Sequence, residues 1–353
     1  MRASAATGGV SSAFTDLVGI DHPIVQGPFG GGLSTVELLG AVSDGGGLGS
    51  FGAHVLDGAG ITELVAACRA RTARPFNINL WVPQPGEPSA LAAEDAARLR
   101  PYYTELGVEP PETLAVPNYS EQLAAVLDAG PPVVSFVMGI PDATFVAAAR
   151  ARGMITIGTA TTVEESIAIE DAGLDAVIAS GSDAGGHRGA FLRPVRESLV
   201  GTFSLIPQVA QAVSIPVVAA GGIADARGVA AALTLGADAV QVGTGFLATE
   251  QSGASPVHRA ALRTPEAGVT VLTRLFSGRT ARGIANRFVR EFVAFEDAVP
   301  PYPAQNALMM PIRKAAAQQG NAQLLNLWSG QAAALAGSRD AATYLAELAA
   351  GAR

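Results

Sequence analysis

One histidine in this sequence stands in a glycine-rich segment that could hold it against a flat ligand. The segment runs SGSDAGGHRG from Ser180 to Gly189 and contains four glycines in ten residues. Glycine lets the backbone approach a ligand closely because it has no side chain. Histidine suits proton abstraction because its unperturbed pKa, about 6.5, is close to neutral pH. We therefore interpret His187 as a candidate general base. Arg188 could pair with a phosphate or an acidic substrate, or could be a solvated surface residue.

Glycines also follow two later apolar segments. One ends in AAGGI, with Gly221 and Gly222, and the other ends in QVGTG, from Gln241 to Gly245. Backbone N–H groups in such turns, with the positive ends of the helices that follow, can bind a phosphate. An ordinary turn would explain either segment alone. The two together favour a phosphate site.

Two earlier positions carry weaker signals. The run GPFGGG, from Gly27 to Gly32, is another loop in which the backbone could approach a ligand, although a turn would also explain it. Asn79 can offer a donor and an acceptor to a heteroaromatic ring or a phosphate, or could simply cap a loop. We interpret the lone cysteine and the other histidines as structural or surface residues: Cys68, His22, His54 and His258.

The composition argues against several classes of protein. Lys314 is the only lysine, and it lies far from any inner strand on which a Schiff-base aldolase would need one. The four histidines form no metal-binding pair, so no metal site is predicted. A net charge of −8 gives no reason to expect nucleic acid as a partner. Because no apolar run reaches the roughly 18 residues of a membrane span, and no signal peptide is recognisable, we predict a cytoplasmic protein without a membrane partner.

The hydrophobic pattern predicts the scaffold that positions these residues. Short apolar runs alternate with helical patterns, which is typical of a parallel sheet wrapped by helices. We count eight predicted strands, at 24–26, 48–51, 76–80, 133–136, 154–157, 176–179, 217–220 and 239–242. Helices lie between them, and four of these are predicted to begin at the capping residues Ser34, Ser120, Thr162 and Asp225. This pattern predicts an α/β fold of the TIM (β/α)₈ barrel class.

The chain is longer than a plain barrel of about 250 residues. We predict an N-terminal leader at 1–13, a barrel at 14–245 and a mainly helical C-terminal extension at 246–353. An insertion after strand 3, at about 83–118, contains seven prolines. Both additions are long enough to cover the catalytic face, and the extension could also form a homodimer interface. In such barrels catalytic residues lie at the C-terminal ends of the strands, with phosphate bound after strands seven and eight, where the glycine pairs occur.

Beyond these patterns, the sequence resembles the nitronate monooxygenases, formerly called 2-nitropropane dioxygenases, from about residue 23 to residue 331. The resemblance rests on PIVQGPFGGGLSTVELLGAVSDGGGLGS, PFNINLWVP, PPVVSF, TIGTATTVEESIAIEDAGLDAVIASGSDAGGHRGAF and IPVVAAGGIADARGVAAALTLGADAVQVGTGFLATE. Beyond the barrel, SGRTARGIANRF, YPAQNALMMPIR and LWSGQ are similar to the class I branch.

The resemblance implies an FMN-dependent enzyme that oxidises alkyl nitronates with O₂ to a carbonyl compound and nitrite. His187 falls on the family's catalytic base, which would remove the α-proton of a neutral nitroalkane. An anionic nitronate would not need that step. The residues that fall on the family's flavin-binding positions are Gly27, Pro28, Phe29, Asn79, Ser180, Gly185, Gly222, Gln241, Val242, Gly243 and Thr244.

The chain departs from the family pattern at three points. Gly27 and Phe29 stand where the family usually has alanine and methionine, and Ser180 stands where glutamine is common. The near-absence of lysine removes a cation that some relatives place near an acidic substrate. These departures leave the identity of the substrate open.

Three other interpretations share parts of the pattern. The nearest is an FMN-dependent NAD(P)H reductase acting on quinones or on enoyl-acyl carrier protein, which has the same barrel motifs. A dehydrogenase of the inosine monophosphate type needs a loop cysteine, whereas Cys68 lies in a predicted helix. The third is a non-catalytic flavin- or phosphate-binding protein, or a lyase or isomerase that holds a sugar phosphate.

Overall fold

The computed structural model describes residues 11–336 and 339–352. Of the predicted leader at 1–13, residues 1–10 lie outside the described residues. The first helix begins at Ala13, after Ser12, whose hydroxyl accepts a hydrogen bond from the Thr15 N–H. Phe14 of this helix is fully buried against the N-terminal ends of the barrel strands. The helix therefore closes the end of the barrel opposite to the candidate site.

Eight of the strands form the predicted barrel. In chain order the strands are β1 (Ile24–Gln26), β2 (Gly49–Gly52), β3 (Phe76–Trp81), β4 (Val133–Val137), β5 (Ile155–Ala160), β6 (Ala176–Ser180), β7 (Gly186–His187), β8 (Val217–Ala220), β9 (Ala239–Val242), β10 (Thr270–Thr273) and β11 (Ala281–Ile284). The parallel sheet has the order β1-β9-β8-β6-β5-β4-β3-β2. A parallel bridge between Val25 and Leu48, with Leu48 N–H donating to Ile24 O at 2.9 Å, brings β1 to β2. The predicted TIM barrel is confirmed.

The helices are α1 (Ala13–Val18), α2 (Val36–Asp44), α3 (Gly58–Arg71), α4 (Ala93–Arg98), α5 (Arg100–Leu106), α6 (Tyr119–Ala129), α7 (Ala143–Ala151), α8 (Val163–Asp171), α9 (Thr202–Ala212), α10 (Ala226–Thr234), α11 (Thr244–Leu247), α12 (Pro256–Ala261), α13 (Arg287–Phe292), α14 (Ala304–Gln318) and α15 (Ala341–Ala349). Seven of them, α2, α3 and α6 to α10, connect consecutive barrel strands. None of the helices within the described residues has the length and apolarity needed to cross a bilayer.

The eighth position around the barrel is filled by the last helix, α15. It packs against α2, α10 and β1. Its Tyr344 lies edge-on to Phe246, with ring centroids 5.1 Å apart, and donates a hydrogen bond to Ala224 O at 2.7 Å. The predicted extension at 246–353 therefore includes a helix of the barrel wall, and α11 crosses the predicted boundary at 245.

Two of the four predicted helix caps are wrong. Thr162 and Asp225 cap α8 and α10, as predicted. Thr35, not Ser34, caps α2, because the Ser34 hydroxyl instead accepts from Phe29 N–H and donates to Ser50 O. The side chain of Asn118 caps α6, and the predicted cap Ser120 lies within that helix.

The insertion and the extension share a hydrophobic core that is separate from the barrel cores. Tyr102 and Tyr103 of α5 are both buried in it. Tyr102 lies edge-on to Phe288 of α13 at 4.9 Å, and the Tyr103 hydroxyl donates to Leu308 O of α14 at 2.6 Å. The two additions to the barrel therefore pack as one unit.

A small antiparallel sheet, in the order β10-β11-β7, joins the extension to the glycine-rich loop. His187 lies opposite Ala281 in its register, and Gly186 lies opposite Arg282. The next residue continues the contact, with Arg188 N–H donating to Thr280 O at 2.9 Å. This pairing fixes the backbone of the loop that carries His187.

Candidate active site

His187 lies beyond the C-terminal end of β6, in contact with side chains from three other parts of the chain. Its Nε2 is 2.8 Å from Ser277 Oγ. Trp81, the last residue of β3, lies edge-on to the imidazole with ring centroids 4.8 Å apart. Trp328 of the extension lies edge-on to it at 5.2 Å. The imidazole is therefore held between two indole rings and one hydroxyl.

His54, which the sequence analysis interprets as structural or surface, belongs to this cluster. Its ring stacks on Trp81 at a centroid distance of 3.7 Å and an interplanar angle of 7°. The backbone of Gly30 lies so close to the His54 ring that a Cβ there would overlap it. His54 Nδ1 is buried and has no hydrogen-bond partner among the described residues. Nothing local in the sequence indicates this position, because the ring on which His54 stacks comes from another strand.

Two arginines surround the aromatic cluster. The Arg279 guanidinium lies 4.8 Å from the centroid of the Tyr302 ring and 5.6 Å from that of Trp81, and it pairs with Glu87 of the insertion. Arg313 of α14 donates to both the backbone and side-chain oxygens of Asn306. Within residues 11–336 and 339–352, Arg313 forms no ion pair with a carboxylate. Arg313 is therefore the guanidinium in the chamber around His187 that no carboxylate of the described residues neutralises, whereas the charge of Arg279 is largely balanced by Glu87.

The environment keeps the two histidines neutral. Burial, followed by the charges of His54, Arg279 and Arg313, lowers the pKa of His187 to about 3. Burial, followed by the charge of Arg279, lowers the pKa of His54 to about 3. At neutral pH both imidazoles carry one proton, so His187 has a free lone pair with which to accept another.

A cavity of about 230 Å³ adjoins the chamber. Arg279 and Tyr302, which contact Trp81, form part of its wall. Met138 also lines this cavity. Its backbone is left-handed, with φ of 69°, which is uncommon for a residue other than glycine. Such conformations cost roughly 1–3 kcal/mol and persist only where the surrounding structure enforces them.

The strand ends that carry the predicted flavin-binding residues converge beside His187. Gly27 and Gly243 approach each other so closely that a Cβ on Gly27 would lie 3.2 Å from Gly243 Cα and 3.5 Å from the Phe29 ring. Gly222 has a left-handed backbone, with φ of 69°. The side-chain oxygen of Gln241, Oε1, is buried without a hydrogen-bond partner among the described residues. An orphaned buried acceptor needs a donor from a ligand or water.

Asn79 lies in a polar layer inside the barrel. Its Nδ2 donates to Ser135 Oγ at 3.0 Å and to Ser135 O at 3.2 Å. Asn77 donates to the same Ser135 hydroxyl at 2.9 Å, and to Ser50 Oγ at 3.2 Å. Burying polar side chains costs free energy unless they are hydrogen-bonded, and these amides and hydroxyls bond to one another inside an otherwise apolar barrel.

Three of the predicted residues are held by the LWSGQ segment or by Arg188. Gly330 N–H donates to Thr244 Oγ1 at 2.9 Å. A Cβ on Gly185 would overlap the backbone of residues 329–330. Arg188 is 3% exposed and donates to Ser180 O at 2.7 Å and to Gly181 O at 2.6 Å. The interpretation of Arg188 as a solvated surface residue is therefore wrong, because it holds the loop from inside.

Sequence reasoning missed the side chains that form the walls of the chamber. These are His54, Trp81, Ser277, Arg279, Tyr302, Arg313 and Trp328. Five of them, all except His54 and Trp81, lie within the SGRTARGIANRF, YPAQNALMMPIR and LWSGQ segments, which resemble the class I nitronate monooxygenases. Those segments were the signal that could have indicated them.

Comparison with known proteins identifies the family of the chain. The family model for nitronate monooxygenase matches residues 11–350. A probable nitronate monooxygenase of Staphylococcus aureus (strain Newman) is 40% identical over 338 residues, which are 95% of each chain.

Two solved structures are similar over nearly the whole chain. The nitroalkane oxidase of Streptomyces ansochromogenes matches with a TM-score of 0.88 and 43% identity, over 96% of this chain and 97% of the other. FabK from Thermotoga maritima matches with a TM-score of 0.75 and 29% identity, over 96% of this chain and 95% of that one. The chain folds as a barrel whose strand ends hold a histidine among aromatic and cationic side chains. Together with these matches, this shows that the chain belongs to the nitronate monooxygenase family and is a flavin-dependent oxidoreductase.

Proposed function

We propose that this protein uses FMN and O₂ to oxidise alkyl nitronates to a carbonyl compound and nitrite, and that it accepts neutral nitroalkanes after His187 removes their α-proton. The observation that carries the proposal is the neutral imidazole of His187, held between two indole rings near the guanidinium of Arg313, which pairs with no carboxylate of the described residues. A base is useful here only in its neutral form, and the low pKa of His187 keeps it neutral at physiological pH.

The chamber suits the charge that deprotonation creates. When the imidazole takes the α-proton, the C–H electron pair moves into a C=N bond and the nitro oxygens carry the negative charge. The charge of Arg313 stabilises that anion and also favours binding of a nitronate that is already ionised, whereas Arg279 contributes less because Glu87 balances its charge. A nitronate needs no base, so His187 matters for one form of the substrate and much less for the other.

The strand ends fit a flavin mononucleotide. Glycines at Gly222 and Gly243 let backbone N–H groups approach a phosphate, and the buried Oε1 of Gln241 is an acceptor that a donor on the ring system would satisfy. The other proposed FMN contacts are Gly27, Pro28, Phe29, Asn79, Ser180, Gly185, Val242 and Thr244. Bound there, FMN would supply the electron acceptor for the substrate and the site of reaction with O₂.

The deciding experiment is nitrite release from a small panel of alkyl nitronates and the matching neutral nitroalkanes, with anaerobic flavin reduction followed in parallel. We expect a yellow protein that releases FMN on heating, forms nitrite only in the presence of O₂, and bleaches with nitronate under nitrogen. FMN-stripped protein is the control and should be inactive until FMN is restored. NADH oxidation that rises with quinone, with no nitrite from any member of the panel, would instead support the reductase interpretation.

A further inference from the structure

The Ser277 hydroxyl has a complete set of hydrogen-bond partners. It lies 2.8 Å from His187 Nε2, donates to Arg279 O at 3.1 Å and accepts from Arg279 N–H at 3.4 Å. A hydroxyl has one proton to donate and two lone pairs that accept. A carbonyl oxygen can only accept and an N–H can only donate, so all three contacts can be hydrogen bonds at once only when the proton of Ser277 is directed to Arg279 O. Its remaining lone pair must then accept a proton from the imidazole.

We propose that Ser277 is a positioning residue that holds His187 in the tautomer with its proton on Nε2, so that Nδ1 is the atom that accepts the α-proton of a nitroalkane. This inference rests on the proposed function of His187 as a base. Nδ1 has no hydrogen-bond partner among residues 11–336 and 339–352, so its lone pair is not engaged by the protein. The opposite tautomer would place a proton on Nδ1 and leave His187 unable to take one there.

The same hydrogen bond strengthens during the reaction. The substrate C–H bond breaks, an N–H bond forms at Nδ1, and the electron pair remains with the nitronate. The imidazole becomes a cation, and its Nε2–H then makes a charge-assisted hydrogen bond to Ser277 Oγ. Ser277 is 1% exposed, so water does not compete for this bond. The charged and titratable groups that face His187 are His54, Arg279 and Arg313, and each of them disfavours a positive charge on its imidazole. The Ser277 hydroxyl matters more for this reason, because it accepts a hydrogen bond from the charged ring.

The tautomer can be measured directly. In ¹⁵N-histidine-labelled holoprotein at pH 7, long-range ¹H–¹⁵N correlations distinguish the two neutral forms, and the chain has only four histidines to resolve. The signals of His187 are identified by their loss in His187→Asn. We expect the proton on Nε2. A proton on Nδ1 overturns the proposal, whatever the enzyme's activity.

Kinetics test the consequence. In Ser277→Ala, loss of one hydrogen bond to a charged group should lower kcat/KM for a neutral nitroalkane on the order of 10- to 100-fold, with little change for the corresponding nitronate. Ser277→Thr, which retains the hydroxyl, should restore most of the rate. Ser252→Ala is the matched control, because Ser252 is buried and donates to Leu247 O in the extension, away from His187.

An equal loss with both substrate forms, or no loss with either, overturns the role of Ser277. If no substrate of the panel yields nitrite in the parent protein, the proposed function fails, and the tautomer of His187 still decides whether Ser277 positions it. If Ser277→Ala does not fold, the comparison of Ser277→Thr with the parent and the tautomer measurement remain decisive.

Discussion

The two sides of the candidate site are built from different kinds of residue. The barrel side consists of strand ends where glycines bring backbones close together, as at Gly27 and Gly243, beside the buried acceptor of Gln241. The extension side consists of large or charged side chains, such as Arg313 and Trp328. Backbone approach suits a flat, phosphate-bearing cofactor, whereas side chains of this kind suit discrimination between small substrates. The difference suggests that cofactor binding and substrate handling are separable.

Between the two sides lies His187. Its backbone belongs to a barrel loop, but β11 of the extension holds it in place and Ser277 of the extension contacts its ring. The proposed base is thus the point at which the two sides meet. Substitutions can test whether each side has its own function.

The largest effect is expected at the junction itself. His187→Asn removes the base while it keeps a polar side chain of similar size, so kcat/KM for neutral nitroalkanes should fall on the order of 10²–10⁴. Steady-state nitrite formation with nitroalkane and with nitronate measures this directly. The rate with nitronate should stay close to that of the parent, since no proton is removed from it. Comparable losses with both forms would mean that His187 binds substrate rather than deprotonating it.

The next largest effect concerns the extension side. Arg313→Met removes a buried positive charge, which at an effective dielectric constant of about 20 is worth roughly 2 kcal/mol to an anion about 8 Å away, or about thirtyfold in KM for nitronate. FMN content, read from absorbance after purification, should not change. Arg290→Met, at an exposed position of α13, is the control. Loss of FMN from Arg313→Met would contradict the separation of the two sides.

A smaller and opposite pattern is expected on the barrel side. Gln241→Leu removes the acceptor proposed for the cofactor, so the Kd for FMN should rise about five- to tenfold. Because Oε1 has no partner among the described residues, the Tm of the FMN-stripped variant should be unchanged or slightly higher. Fluorescence titration with FMN and thermal unfolding measure the two quantities, with exposed Gln211→Leu as control. A lower Tm without FMN, at unchanged affinity, would show that Gln241 serves the fold.

A pH dependence of stability that both sides share is expected as well. Burial lowers the pKa of His54 to about 3. Burial is also the largest cause of the low pKa of His258 in the extension, which is about 4. Below about pH 6.5 the unfolded chain binds protons that the folded protein does not, so the free energy of unfolding should fall as the pH drops from about 6.5 to 4. Tm measured across this range on FMN-free protein tests it. His258→Gln should flatten the dependence, and an unchanged slope would contradict the contribution of His258.

The barrel was predictable because its strands leave a local signal. Strands of a parallel sheet are covered on both faces, so they appear as short apolar runs separated by helical patterns. The predicted strands end where their apolar runs end, which is too early for one of them. β5 continues through Gly158 and Thr159 to Ala160, beyond the predicted end at 157. The cap of α2 was missed for a similar reason, because Ser34 has a more distant partner in Ser50.

The glycine-rich loops, and His187 as a candidate within one of them, could be found from the sequence, because the position of a loop after a given strand determines on which end of a barrel it lies. The chamber around His187 was not. Ser277 is 90 positions away from His187, and the ring that stacks on Trp81 comes from a different strand end. No periodicity connects such residues, since the contacts exist only after two separate parts of the chain have packed.

Sequence patterns alone were enough to predict the class of fold, and they also pointed to one end of the barrel and to His187 as the candidate site. Those follow from local properties: apolar periodicity, glycine at strand ends and the intrinsic pKa of imidazole. The packing of the folded chain was needed to show that the imidazole of His187 is neutral and has a defined hydrogen-bond partner. Its pKa depends on burial and on the charges of distant residues, and the Ser277 hydroxyl reaches it through the pairing of β7 with β11.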